Sequence, residues 1–242
     1  MSGPAPGPEA PAARFVLVRP RQPENLGAAA RALANFGFSD WALVGAGTHD
    51  FARARRVAIH AEALLDRAAV APSLEDAVAG CTLLVGTTSR RVRGRRPLTP
   101  AEVGRVAAAE GGRGRVAIVF GDERDGLSAE DLRRCDEVST IPTAGPQPSL
   151  NLAQAVAVYA HALAAAAAVQ PLEPPRREGA TDGELRRMED ALRQALRRCG
   201  FLAGPERHAV RDLVASLRRA RLSRDEVRLW TAALSRLASP RD

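Results

Sequence analysis

Residues 116–127 read Val-Ala-Ile-Val-Phe-Gly-Asp-Glu-Arg-Asp-Gly-Leu. An apolar run, 116–120, breaks directly into an acidic turn bracketed by Gly121 and Gly126. The run reads as a buried strand, and the glycines either supply a positive φ or admit a ligand close to the backbone. By itself the turn is also an ordinary loop, since glycines are common there. Recurrence decides the fold. Similar apolar runs occur at 15–18, 41–44, 82–85 and 138–141. Between them lie helical spacings: 25–36, ended by Gly37; short helices within 51–80; 99–109, with Thr99, Pro100 and Glu102 as N-cap, N1 and N3; 128–134; and 149–169. Strands alternating with helices predict an α/β fold with a mostly parallel sheet covered on both faces.

The last of these helices, 152–169, is apolar except for Gln154, Tyr159 and His161. Alanine dominates it and polar groups interrupt it, so a small-residue helix buried on several sides, at a subunit interface, fits better than a membrane span. Residues 1–13 are Pro, Gly and Ala-rich and lack a basic segment followed by an apolar one, which predicts a flexible tail and no signal peptide. Residues 14–169 then form the α/β domain and 170–180 a Pro-rich linker. Residues 181–242 form a small helical unit whose apolar positions follow three amphipathic helices, the first opened by Thr181 and Glu184 and closed at Gly200.

The chain has 242 residues and a net charge of +7, and all of its 35 basic residues are arginine. The absence of lysine excludes Schiff-base chemistry and a Walker lysine. Residues 1–171 hold 19 arginines against 17 acids, and 172–242 hold 16 against 11, so the helical unit is the more basic for its size. Its arginines at 186, 187, 193, 197 and 198 lie off the apolar stripe, as a solvated helix face or as phosphate contacts. Cys81, Cys135 and Cys199 are odd in number and widely spaced, which excludes a disulfide scaffold and a zinc ribbon and predicts reduced core thiols in a cytoplasmic protein. No Gly-x-Gly-x-x-Gly follows the first strand, which leaves a nucleotide-binding dehydrogenase unsupported.

Two more segments stand with 120–127 at carboxyl ends of strands, where open α/β sheets bind ligands. One is Pro23-Glu24-Asn25-Leu26-Gly27-Ala28-Ala29-Ala30-Arg31, which alone reads as an Ala-rich helix with a surface arginine. The other is Ile141-Pro142, a Gly/Pro loop, then Pro148-Ser149-Leu150-Asn151-Leu152-Ala153, with Ser149 as the expected N-cap of a helix whose amides suit an anionic or polar group. In order, N-x-G-x-x-x-R, F-G-x-E-x-x-G-L and I-P…S-L-N-L-A resemble the three motifs of the SpoU/TrmH class of SPOUT methyltransferases, over roughly residues 14–168. The helical unit, with Gly200-Phe201 after its first helix, resembles the extension of the TrmJ type, the tRNA (cytidine/uridine-32)-2′-O-methyltransferases.

The resemblance implies a deep trefoil knot, S-adenosylmethionine as cofactor, a homodimer and tRNA as substrate, with no metal and no membrane. It implies a cofactor pocket from Thr87, Thr88, Ser89, Gly121, Ile141, Pro148, Ser149 and Leu150. Arg31 matches the family's catalytic arginine. A guanidinium stays protonated, so its role is to orient the ribose or a phosphate and to stabilise alkoxide charge. Asn25 is expected to position Arg31 or the substrate, Glu123 to hold motif geometry across the dimer, and Ser149 and Asn151 to shape the site near the methyl group. Arg90, Arg91, Arg93, Arg95 and Arg96, five arginines in seven residues directly after the cofactor loop, are expected to clamp RNA phosphates. Within the family, rRNA or another tRNA position is the alternative target; outside it, a non-catalytic RNA-binding protein on the same scaffold.

Overall fold

The computed structural model describes residues 12–45, 51–110, 113–167, 178–202 and 208–238. Most of the expected tail and linker lie outside these. At their inner ends, Ala13 already belongs to the first strand, and the Gly179 amide donates to the Arg113 carbonyl at 2.6 Å.

Six strands make one sheet: β1 (Ala13–Val18), β2 (Trp41–Val44), β3 (Ala69–Ala71), β4 (Cys81–Thr87), β5 (Arg115–Phe120) and β6 (Glu137–Ser139). Their order is β3-β2-β1-β5-β4-β6 and every pair is parallel. The strand expected at 138–141 stops at Ser139, and Ile141 leaves the sheet to line a cavity. β3 escapes a hydrophobicity reading because it is a three-residue edge strand with Val70 70% exposed.

Alternation along the strands divides the core in two. Phe15, Leu17, Trp41, Leu83, Ile118 and Phe120 pack with α1 (Pro23–Asn35), α5 (Pro100–Glu110) and α7 (Leu152–Ala167). On the opposite face, Val16, Val18, Val44, Leu84 and Val119 meet α4 (Leu74–Val78) and α6 (Ala129–Arg134). Two short helices, α2 (Phe51–Val57) and α3 (Glu62–Asp66), complete the first layer. At Gly27 of α1 an added Cβ would lie 2.0 Å from the Ala54 carbonyl oxygen, so glycine lets α1 press directly on α2. The strand order reverses between β1 and β5, and the crevice outside the carboxyl ends of a sheet at such a point is where ligands bind.

Among the described residues no helix is long and apolar enough to cross a membrane. α7 instead lays Val156, Tyr159, Ala160 and Leu163 into the core and leaves Gln154 and His161 outside.

The helical unit comprises α8 (Asp182–Arg198), α9 (His208–Arg219) and α10 (Arg224–Ala238). Leu185, Met188, Val227 and Leu234 form its core. Trp230 and Leu237 of α10, at helical spacing from Val227 and Leu234, are nonetheless 47% and 64% exposed. Buried ions dock the unit. Arg218 donates from Nε to Glu189 at 2.6 Å and from Nη1 to Asp182 at 2.9 Å. The Asp182 side chain is fully buried and also accepts from Arg134 of α6 at 3.1 Å. A charge is tolerated out of water only when paired in this way. Removing Arg218 leaves two buried carboxylates short of a partner. Arg218→Ala is therefore expected to cost about 3 kcal/mol of stability, measured by urea unfolding of the full chain.

Candidate active site

Beside the point where the strand order reverses, at the carboxyl ends of β4, β5 and β6, lies a cavity of about 340 Å³. Three loops line it: Thr87 to Arg90 after β4, Gly121 to Gly126 after β5, and the segment after β6 carrying Ile141, Pro148, Ser149 and Leu150. All eight residues expected in a cofactor pocket, Thr87, Thr88, Ser89, Gly121, Ile141, Pro148, Ser149 and Leu150, stand on this one wall.

Gly121 earns its place through the turn itself. A Cβ there would lie 2.0 Å from the Gly126 carbonyl carbon, so the loop closes on its own backbone. Gly126 supplies the positive φ, +68°. Inside the turn, Asp122 Oδ1 accepts the amides of Arg124 and Asp125, each at 2.8 Å, and Nε of Arg21 at 3.2 Å. Burial alone would raise the Asp122 carboxyl; these amides and the guanidinium outweigh it and hold it below its ordinary value. Asp122, Glu123 and Asp125 line the cavity together with Arg90 and Arg124, so the lining carries an excess of one formal negative charge.

Asn25 joins the three segments. Its side chain is 5% exposed. Nδ2 donates to Glu123 Oε1 at 2.7 Å, and Oδ1 accepts from Nδ2 of Asn151 at 2.9 Å. Glu123 also accepts the backbone amides of Arg21 at 2.8 Å and Gln22 at 3.1 Å. The N-cap residue Gln22 makes no side-chain cap of its own, so a carboxylate about a hundred residues away in sequence satisfies the start of α1. Within one chain, Glu123 therefore ties the acidic turn to the start of α1 and to Asn25. Asn25 holds Glu123 and Asn151, and not Arg31.

Asn151 corrects a further expectation. Its Oδ1 accepts from Ala153 N at 2.9 Å and Gln154 N at 3.4 Å, so it caps α7, which begins at Leu152. Ser149, expected as the cap, lies in the loop and lines the cavity. The first amides of α7 are thus spent on Asn151. Arg31 lies six residues beyond Asn25 on α1, is exposed, and is absent from the cavity lining. A separation of six residues turns it about 120° around the helix from Asn25 at 3.6 residues per turn.

The arginine loop divides by partner. Arg90 lines the cavity and donates to the Leu127 carbonyl. Arg95 donates to the Leu132 carbonyl at 2.9 Å, near the end of α6, and also to that of Asp136. Arg96 pairs with Glu102 at 2.9 Å. Those three pin the loop to the protein. Arg91 and Arg93 are exposed and have no ion pair or hydrogen bond among the described residues.

Tyr159 lines the cavity from α7, its ring edge-on to Phe120 at 5.5 Å. Its only signal in the sequence was as a polar interruption of an apolar helix. Burial pushes its hydroxyl up to about 12, so it stays a donor. Burial likewise pushes the thiols of Cys81 and Cys135 up to about 12, which leaves them inert; Cys199, expected in the core, is exposed beyond α8. No cluster of three or more metal-ligating side chains occurs among the described residues.

The profile of the SpoU rRNA methylase family matches residues 12–161. The tRNA (cytidine/uridine-2′-O-)-methyltransferase TrmJ of Klebsiella pneumoniae is 35% identical over 78% of this chain and 80% of its own length. That of Pectobacterium atrosepticum is 32% identical over 95% and 98%. The crystal structure of TrmJ from Z. mobilis ZM4 superposes with a TM-score of 0.79 at 32% identity, covering 93% of this chain and 99% of that one. On a family match that spans all three segments around Asn25, and on relatives alike along almost the whole chain, this protein belongs to the SpoU methylase family.

Proposed function

We propose that the protein transfers a methyl group from S-adenosylmethionine to a ribose 2′-hydroxyl of tRNA, at nucleotide 32 of the anticodon loop, as a cytoplasmic homodimer. The observation that carries this reading is the convergence of three loops on one cavity, locked by the Asn151–Asn25–Glu123 hydrogen bonds. The reading brings with it the knotted chain path of the family, which suits a cavity assembled from loops of adjacent parallel strands.

The cavity fits the cofactor. Its volume falls within the range of small-molecule sites, about 300–1,000 Å³. Ile141, Leu150 and Phe120 offer apolar walls for a purine, and Thr87, Thr88 and Ser89 offer hydroxyl and backbone groups. With Arg90 and Arg124 in the same lining, Asp122, Glu123 and Asp125 leave an excess of one formal negative charge toward a sulfonium. When bound, S-adenosylmethionine supplies a methyl group made electrophilic by that sulfonium.

The protein's own task is alignment and stabilisation of charge on a weakly acidic hydroxyl. Arg31 orients the ribose or an adjacent phosphate and stabilises developing alkoxide charge, and the proton leaves to a phosphate oxygen or to water. Because Arg31 is exposed on α1 outside its own chain's cavity lining, the homodimer gives each cavity the Arg31 of the other copy. Ser149 and Asn151 shape the mouth where the ribose enters. Arg91 and Arg93 meet the RNA phosphates, and the other three arginines of the loop hold it in place.

Labelled S-adenosylmethionine and unmodified tRNA, followed by nucleoside-resolved mass spectrometry, should show one ribose methylation at nucleotide 32; no ribose methylation on any RNA overturns the reading. Arg31→Ala is expected to lower turnover by about 10²-fold or more with cofactor binding retained. Mixing Arg31→Ala copies with Ile141→Arg copies, each inactive alone, should restore activity through mixed dimers, and an inactive mixture rules out a shared site. Arg91→Ala with Arg93→Ala should raise the KM for tRNA and flatten the salt dependence of binding by a slope of about 1.4, at ~0.7 per single-strand phosphate contact. Titrations between 50 and 200 mM salt check this.

A further inference from the structure

The arginine loop leaves the sheet at Thr88 and returns at Leu98, and both ends are fastened to one residue. Thr88 N donates to the Ser139 carbonyl at 2.9 Å. Ser139 Oγ donates to the Leu98 carbonyl at 2.7 Å, where Leu98 and Ser139 form a parallel bridge. Its proton committed there, Ser139 Oγ accepts from the Tyr159 hydroxyl at 2.7 Å. Ser139 and Tyr159 are both fully buried. Tyr159 backs the cavity wall, its ring edge-on to that of Phe120, and Thr88 and Ser89 at the base of the loop line the same cavity.

We propose that Tyr159 and Ser139 are positioning residues that couple occupancy of the methyl-donor cavity to the orientation of the arginine loop, so that cofactor and RNA bind cooperatively. This rests on the reading of the cavity and loop given above. The physical argument starts from the hydroxyl. A buried hydroxyl without a partner is costly, so a tyrosine on the core face of α7 persists with its partner in place. A ligand that fills the cavity presses on the wall that Tyr159 backs, and so restricts the ring and through it the direction of the Oη–Oγ bond. Ser139 transmits that restriction to Leu98, while its carbonyl holds Thr88. Farther along, Arg90 and Arg95 tie the loop to the Leu127 and Leu132 carbonyls, so its base and its flanks move as a unit and carry Arg91 and Arg93 with them. Binding coupled by such a network is reciprocal: whatever factor the cofactor adds to RNA affinity, RNA adds to cofactor affinity.

The test measures tRNA affinity of the full-length protein by fluorescence anisotropy, with and without saturating S-adenosylhomocysteine, which allows no turnover. In the unmodified protein the product analogue should tighten tRNA binding by about fivefold or more, the lower end of ordinary coupling. In Tyr159→Phe, which keeps the ring, and in Ser139→Ala, the factor should fall below about twofold, and the double variant should lose no more than either single one. In turnover by Ser139→Ala, which lies outside the cavity lining, the loss should appear in the KM for tRNA, with kcat little changed. A second measurement needs no variant: S-adenosylhomocysteine alone should slow hydrogen exchange at the Thr88 and Leu98 amides. Equal tightening in the variants, no tightening in the unmodified protein, or unchanged exchange at those amides overturns the coupling. Failure to bind S-adenosylhomocysteine at all overturns the cofactor reading instead.

Discussion

The Asn25 carboxamide is the interaction on which the site depends. It is nearly buried, and it gives its donor to Glu123 and its acceptor to Asn151. No other side-chain type of this size offers both in one plane; an aspartate there would face Glu123 with like charge. Three loops from the ends of three non-consecutive elements are thereby referred to one group. Glu123 extends the arrangement by accepting the two amides ahead of α1, so the helix start, the acidic turn and the start of α7 share one set of hydrogen bonds. A catalytic cavity formed from loops needs such fixed distances, because small displacements of aligned groups cost large factors in rate.

Much of this was legible in the residues, and for physical reasons. Strands that are covered on both faces must be apolar throughout, and the runs at 15–18, 41–44 and 116–120 lie inside observed strands. Exposed edges carry no such requirement, and β3 was unreadable for that reason. Capping chemistry is local, so Thr181 with Glu184 and Ser128 before α6 announced themselves. The start of α7 did not, because Ser149 and Asn151 are equally good caps in isolation. What selects Asn151 is the long-range bond to Asn25.

A similar limit governed the arginines. Composition shows a cluster at 90–96, but whether a guanidinium faces water or a carbonyl depends on which helix end the fold brings beside it. Leu132 and Asp136 flank the end of α6, whose last carbonyls lack intrahelical partners; Arg95 satisfies Leu132 and the Asp136 carbonyl just beyond. An ammonium group would be a poor substitute, since it lacks the planar fork that reaches two carbonyls at once. In a chain whose cations are all arginine, the same residue type serves as internal tie and as free surface charge, and only the partner list separates the two.

The helical unit carries that logic furthest. Arg218 is 8% exposed and stands between Glu189 and Asp182, with Asp136 of the α/β domain 4.0 Å away. Burial raises the Asp136 carboxyl to about 6, and Arg218 opposes that rise. A carboxyl whose folded value lies above its unfolded one binds its proton more tightly in the native state, so its contribution to stability is greatest below the unfolded value and diminishes as pH rises through about 6. Neighbouring acids that accept amides or guanidinium groups, such as Asp122 and Asp131, run the other way and lose their contribution as pH falls. The two tendencies meet on opposite ends of α6: Asp131 at its capped start, joined to Arg19, and Asp136 beyond its end, facing the helical unit. Acidification therefore loosens the Arg19–Asp131 tie at the start of α6 while easing the burial of charge at its docked end.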